Sequence, residues 1–426
     1  MPESNGPVPL RDLEALLQQT MEGPVTVEVT DWKHLTDPGE NFGSLILAVN
    51  ANVVARNGKQ EKHHLVCKMP PKSEYLLDLF NSPMAFKKEL YFYTKIAPAF
   101  LQLQLSSGGF SKNELVNELV PRFYGGRMSL DGGTDAGRFD SQAAIVLENL
   151  NYAGYATQDR IAGMDLQHME FGVRELAKLH AITCGYRIKN PVDFEKTIAP
   201  GLKPAHNDTA GKCVEEMVRK AVDNLRKMDA AKPHLERVLR TLEKASEAPT
   251  PKIERWCTFV HGDFWVNNMM YRYSNSNGNN NNNNNEDNKI LSLKMVDFQL
   301  SVCDYGVNDL IFFLVSSAKK DIIDNNLGDL VDLYYETFVG SLRALKVDTV
   351  DFSREEFDGL LKECAPLKFP QCIMMVQVIK ATRGSAPDVN SIKNSEAFLS
   401  IGKGKIYEDK LLHVLQTFVK NDWLVD

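Results

Sequence analysis

Two short segments constrain this chain more than anything else in it. The octapeptide His261-Gly262-Asp263-Phe264-Trp265-Val266-Asn267-Asn268 is followed, 34 residues after Asp263, by Val296-Asp297-Phe298. The flanking runs, 256–273 and 290–299, are apolar and β-branched and predict the two arms of one β-rich hairpin. Asp263 is suited to accept a hydroxyl proton and aim its lone pair at a phosphorus. Asn268 can offer a neutral oxygen and Asp297 a charged one, the hard ligands that Mg²⁺ prefers. The order H-x-D-x-x-x-x-N, then a strand-borne Asp-Phe, is the part list of a phosphoryl-transfer site.

Between the arms, residues 274–288 are almost all Asn. Such a tract has nothing to bury and predicts a disordered loop. Tolerated between two functional strands, it belongs at a hairpin tip that points away from the site.

Upstream, a short amphipathic helix over 10–21 precedes strands predicted at 25–32, 44–55, 62–69 and 143–147, with one long helix over 76–97. From about residue 150 the periodicity turns helical. Asp165 caps a predicted helix to 183, stripes follow at 214–228 and 330–345, and Ser353 with Glu356 forms a capping box. A chain of 426 residues is too long for one core. The expected architecture is α+β and bilobal: residues 1–147 as a small β-rich lobe with one main helix, 148–426 as a larger, mostly helical lobe.

This order of elements gives meaning to charges that would otherwise read as solvated. Lys68 lies on a predicted strand and Glu89 on the long helix, an arrangement in which the helix acid holds a lysine that bridges ATP phosphates. Gly39-Glu40-Asn41-Phe42-Gly43-Ser44, between the first two strands, lacks a full glycine-rich pattern, but the amides of Gly43 and Ser44 can cover phosphate. Glu148-Asn149-Leu150 ends the last strand of the small lobe, where the backbone of Glu148 and Leu150 can hydrogen-bond adenine. His261 reads best as a buried histidine that hydrogen-bonds the loop backbone. Asp309, at the head of an apolar run, fits two roles equally: a helix cap, or a brace for the loop N–H groups.

Several classes are excluded. The 49 basic and 56 acidic side chains leave a net charge of −7, unlike a nucleic-acid binder, which clusters Lys and Arg. The seven cysteines are widely spaced with no CxxC pair, so neither a disulfide framework nor a zinc site is expected. The N-terminal residues show no signal core, and the longest apolar run, 310–315, is far short of a membrane span, so the expected location is cytoplasmic. Asp309 follows Asp297 by only 12 positions. That interval has no room for a long activation segment and an A-P-E motif, and Gln299 stands where a D-F-G glycine would. The acceptor is therefore expected to be a small molecule, not a protein.

The motifs Val260 to Met270, Val296-Asp297-Phe298-Gln299-Leu300-Ser301 and Asn308-Asp309-Leu310 resemble the ecdysteroid kinase-like (CHK-type) family. That family sits within the choline kinase and aminoglycoside phosphotransferase-like group. The segments Val66-Cys67-Lys68, 86–93 with Glu89, Val146-Leu147-Glu148 and 176–181 agree, so the resemblance runs from about residue 25 to 420. It implies a protein-kinase-like fold and transfer of the ATP γ-phosphate, with Mg²⁺, to a hydroxyl of an ecdysteroid or a xenobiotic alcohol. Asn149, where an Asp is common, and the Asn tract depart from the family pattern without touching the catalytic set. The alternatives are a non-catalytic small-molecule-binding relative, or an O-kinase for a choline- or aminoglycoside-like substrate.

Overall fold

In the computed structural model, residues 7–35, 43–135, 137–205, 207–247, 253–274, 289–382 and 392–426 are described. The N-terminal part is an antiparallel sheet in the order β1-β2-β3-β5-β4. Its strands are β1 (Val25–His34), β2 (Leu45–Ala55), β3 (Gln60–Met69), β4 (Phe123–Arg127) and β5 (Ala144–Glu148). Side chains alternate across a strand, so Leu65, Cys67 and Met69 share one face with Leu47, Val49, Ala51 and Val53. Helix α1 (Leu13–Gln18) buries Leu13, Leu16 and Leu17 on that face. Lys68 falls on the opposite face by the same alternation, toward the helix that carries Glu89.

The long helix expected over 76–97 is broken. Helix α2 (Glu74–Leu79) ends before Asn81, whose backbone is left-handed (φ 44°, ψ 55°), and α3 (Ser82–Tyr91) restarts with Pro83 in its first turn. Pro at that position costs no intrahelical bond, because its missing N–H has no partner there anyway. A π-turn over Phe92–Ile96 then leads into α4 (Ala97–Ser107).

Strand β4 was not expected, because its Phe-Tyr-Gly-Gly-Arg sequence reads as a weak strand former. The packing explains both glycines. A Cβ on Gly125 would meet the Leu16 carbonyl oxygen of α1, and one on Gly126 would meet Leu90 of α3. The sheet is thus pressed from both sides at one dipeptide. Gly125→Ala should destabilise the protein by about 1–3 kcal/mol, the usual range for overpacking against a neighbour that cannot yield. Chemical denaturation measures this, and an unchanged midpoint would show that α1 can move aside.

The C-terminal part is helical around two small sheets. The single hairpin expected over 256–299 is instead two ladders. Strand β7 (Cys257–Val260) pairs with β10 (Val302–Tyr305), while β8 (Met269–Tyr273) pairs with β9 (Ile290–Met295) and with the short β6 (Tyr155–Ala156). The chain leaves the first ladder after Val260, turns through the octapeptide, and enters the second at Met269. The return through 296–301 does the same in reverse. Both polar motifs therefore lie in the gap between ladders. At the far end of the second ladder, the Ser274 N–H donates to the Lys289 carbonyl at 3.0 Å. The Asn tract between them, expected to be disordered, lies outside the described residues.

Around these ladders pack α5 (Leu166–Lys189), α6 (Asp208–Arg226), α7 (Leu235–Ser246), α8 (Val307–Ser317), α9 (Lys320–Ala344), α10 (Arg354–Ile379) and α11 (Lys405–Lys420). Asp165 and Ser353 cap α5 and α10 through their side chains, at His168 N and Glu356 N. Helix α8 is buried along its whole length, which suits its near-continuous apolar sequence. All seven cysteines are free, and six are buried. Among the described residues, no helix is long and apolar enough to cross a membrane.

Candidate active site

The register of the second ladder sets the site. Met269 pairs with Met295, which places Asn268 beside Val296, and the Val296 N–H donates to the Asn268 carbonyl at 3.1 Å. Asp263, Asn268 and Asp297 are held around that crossing. The Asn268 amide donates to both the carbonyl and the carboxylate of Asp263, at 2.8 and 2.9 Å. Its amide nitrogen is committed there, which leaves the amide oxygen for another partner. Burial and the neighbouring Asp297 charge push the Asp263 carboxyl up to about 7, against the hydrogen bonds from Asn268 and the Trp265 side chain.

Asp297 adopts a left-handed backbone (φ 70°, ψ 66°), uncommon for a residue with a Cβ, and this turns its carboxylate out of the strand. One oxygen meets the Lys68 ammonium at 2.8 Å, and the other accepts from the Gln299 amide at 3.2 Å. Lys68 also pairs with Glu89 at 2.6 Å, and its side chain is 7% exposed. Burial works against the lysine's charge, but Asp297 and Glu89 together raise its pKa well above the ordinary value. Next to Glu89 on α3, the buried Lys88 ammonium donates to the Ser301 carbonyl at 2.6 Å. Helix α3 thus holds this segment directly at Ser301 and, by way of Lys68 of β3, at Asp297.

The loop before Asp263 is fixed from beneath. Asp309, in the first turn of α8, accepts the His261 N–H at 2.5 Å and the Gly262 N–H at 3.0 Å. Of the two roles open to it, the geometry is that of the brace. The Asp309 carboxylate is itself met by His180 Nε2 at 3.4 Å, and His180 Nδ1 lies 2.6 Å from the Tyr334 hydroxyl. Burial opposes its charge, but the His180 hydrogen bond and the neighbouring imidazoles outweigh it and hold its pKa below the ordinary value. The His261 ring donates from Nε2 to the Val296 carbonyl at 3.0 Å, and burial lowers its pKa, so it is a neutral tie between the two motifs.

Gly43 lies over this cluster: a Cβ there would sit 3.6 Å from the Gln299 amide and from Phe80. Ser44 beside it is buried, while residues 39–42 of the same loop lie outside the described residues. Glu148 and Leu150 lie at the end of β5, where the Asn149 N–H donates to the His64 carbonyl at 3.0 Å and the chain crosses toward β6. The structure therefore gathers Lys68, Glu89, Asp297, Asp263, Asn268, His261, Asp309 and Gly43 around one gap, with Glu148 and Leu150 at the crossing between the two parts of the chain.

The sequence did not point to Gln299 as a clamp on Asp297, to Lys88, or to His180 beneath Asp309. Each acts through a partner distant in sequence or through a position where another residue was expected, and none carries a motif of its own. Asp297 and Asn268 offer a carboxylate and an amide oxygen, a donor set that fits a hard divalent cation.

A model of the ecdysteroid kinase-like family matches residues 38–347. No curated protein matches the chain. Among solved structures, the choline kinase of Cryptosporidium parvum is 13% identical, with 92% of this chain and 89% of that one covered and a TM-score of 0.41. The ethanolamine kinase of Plasmodium vivax is 10% identical, with 95% and 84% covered and a TM-score of 0.41.

Proposed function

The chain belongs to the ecdysteroid kinase-like family of phosphotransferases that act on hydroxyl groups, and from that premise we propose that it transfers the γ-phosphate of ATP, with Mg²⁺, to a hydroxyl of an ecdysteroid or a similar steroid or xenobiotic alcohol. The observation that carries this reading is the buried cluster in which Lys68 from the sheet, Glu89 from α3 and Asp297 from the second ladder meet. Taking a lysine and two carboxylates out of water carries a desolvation cost, so stability alone is a weak reason for such a group, and clusters of this kind are found at functional sites. In this reading residues 1–147 and 148–426 are the two parts, Lys68 and Glu89 come from the first and Asp297 from the second, and a nucleotide enters between them.

In this reading Lys68, held by Glu89, turns from Asp297 to the ATP phosphates. Asn268 and Asp297 hold Mg²⁺, which when bound neutralises charge on the phosphates. Gly43 and Ser44 cover the phosphates with backbone amides, and the backbone at Glu148 and Leu150 receives adenine. Asp263 takes the proton of the acceptor hydroxyl and aims its oxygen in line with the γ-phosphorus. His261 and Asp309 keep the loop in shape. The setting is cytoplasmic, and the reaction suits hormone inactivation or detoxification, since a phosphate makes an apolar alcohol charged.

The test is incubation of the full chain with ATP, Mg²⁺ and a panel of ecdysteroids and plant alcohols, read by mass spectrometry. At least one phosphate monoester should form, and ATP should raise the melting temperature. Absence of both any product and any thermal shift would sink the reading.

A further inference from the structure

The peptide that leads into Asp263 is gripped from two directions. Asp309 takes the Gly262 N–H from one side. On the other, Gln371 of α10 donates from Nε2 to the Gly262 carbonyl at 2.9 Å. Gly262 has φ +81°, and a Cβ there would lie 2.7 Å from the Leu300 carbonyl oxygen, so this backbone has no slack. The Gln371 side chain is oriented in turn: the Lys368 ammonium, one helical turn earlier, donates to its Oε1 at 3.1 Å. An ammonium can only donate and a carbonyl can only accept, so the order Lys368 → Gln371 → Gly262 has one possible sense.

We propose that Gln371 is a positioning residue for phosphoryl transfer, holding the Gly262–Asp263 peptide plane and thereby aiming the Asp263 carboxylate, with Lys368 setting the orientation of its amide. The aiming role rests on the proposed kinase function; the holding role does not. Nothing in the octapeptide reveals it, since Gln371 lies 109 residues from Gly262 on another element. The relay explains why Gln371, at the half-buried face of α10, is polar. A leucine there would leave the Gly262 carbonyl without this partner. It also couples the catalytic loop to a helix of the second part, so that a displacement of α10 is felt at Asp263.

The experiment uses the full chain carrying Gln371→Met, Gln371→Glu or Lys368→Met. Ecdysone phosphorylation is followed alongside hydrogen exchange of residues 262–264 in the ligand-free protein. Gln371→Met keeps the bulk and loses the donor. Gln371→Glu keeps the Lys368 partner but has no N–H to give. Both should lower kcat roughly 10- to 100-fold, the scale of a misaimed catalytic group, with KM for ATP and the melting temperature held. Exchange at 262–264 should quicken roughly tenfold, the weight of one hydrogen bond. Lys368→Met should give a smaller loss of the same kind, and none further in the Gln371→Met background. Unchanged exchange in both Gln371 variants overturns the proposal, whether or not ecdysone is a substrate. Faster exchange with unchanged kcat overturns the aiming role. If wild type phosphorylates no member of the panel, the kinase reading fails on its own account, and exchange alone decides whether Gln371 holds the loop.

Discussion

Asp263→Asn should abolish most phosphoryl transfer, lowering kcat by roughly 10²- to 10⁴-fold, while ATP still shifts the melting temperature. The substitution keeps the shape and the contact with Asn268 but removes the group proposed to accept the hydroxyl proton. Lys68, Glu89 and Asp297 are untouched, so nucleotide binding should survive. In the proposed role Asp263 acts in its ionised form. In wild type, kcat/KM should therefore fall as the pH drops through the Asp263 pKa, which burial and Asp297 place at about 7 in the free protein. A divalent cation beside Asp297 would move that point lower. Retention of full activity by Asp263→Asn would show that another group takes the proton, even if the enzyme class stands.

The second large effect is on stability. Asp309→Ala should cost roughly 3–5 kcal/mol, the range for removing one partner from a buried charged network. The carboxylate is almost fully buried and satisfies the His261 and Gly262 N–H groups together with His180. Its loss leaves two buried N–H donors without an acceptor, and each such orphan costs on the order of 1–3 kcal/mol. Because the folded pKa is depressed, this contribution is present above the ordinary carboxylate pKa of about 4 and is lost as pH falls through the lower folded value. Urea denaturation at neutral pH measures the loss. A change below about 1 kcal/mol would mean that water replaces the carboxylate. Asp309→Asn, which keeps one carbonyl, should fall between wild type and the alanine variant.

That the motif residues would meet was legible because a strand on each side of both motifs leaves few ways to arrange them. The bilobal α+β class followed from the switch of hydrophobic period near residue 150. Pairing was a different matter. Periodicity showed strands at 256–273 and 290–299 but not that β7 would pair with β10 across the motif, where β7 also packs on α5. Strand β4 was hidden by the same glycines that let α1 and α3 approach the sheet. The break at Asn81 was masked by an apolar pattern that continues on both sides of it. Gln371 and Lys88 were invisible for a deeper reason. Each acts on a backbone carbonyl, and a carbonyl leaves no trace in the identity of the residue that owns it.

The closure at the end of the second ladder has a structural consequence. Ser274 and Lys289 hydrogen-bond each other twice, backbone to backbone and through the Ser274 hydroxyl at 3.2 Å. The ladder is thus complete before the Asn run begins, with its other end five residues back at Met269, next to Asn268. An Asn run of a different length would therefore leave the pairing between Met269 and Ser274 unchanged.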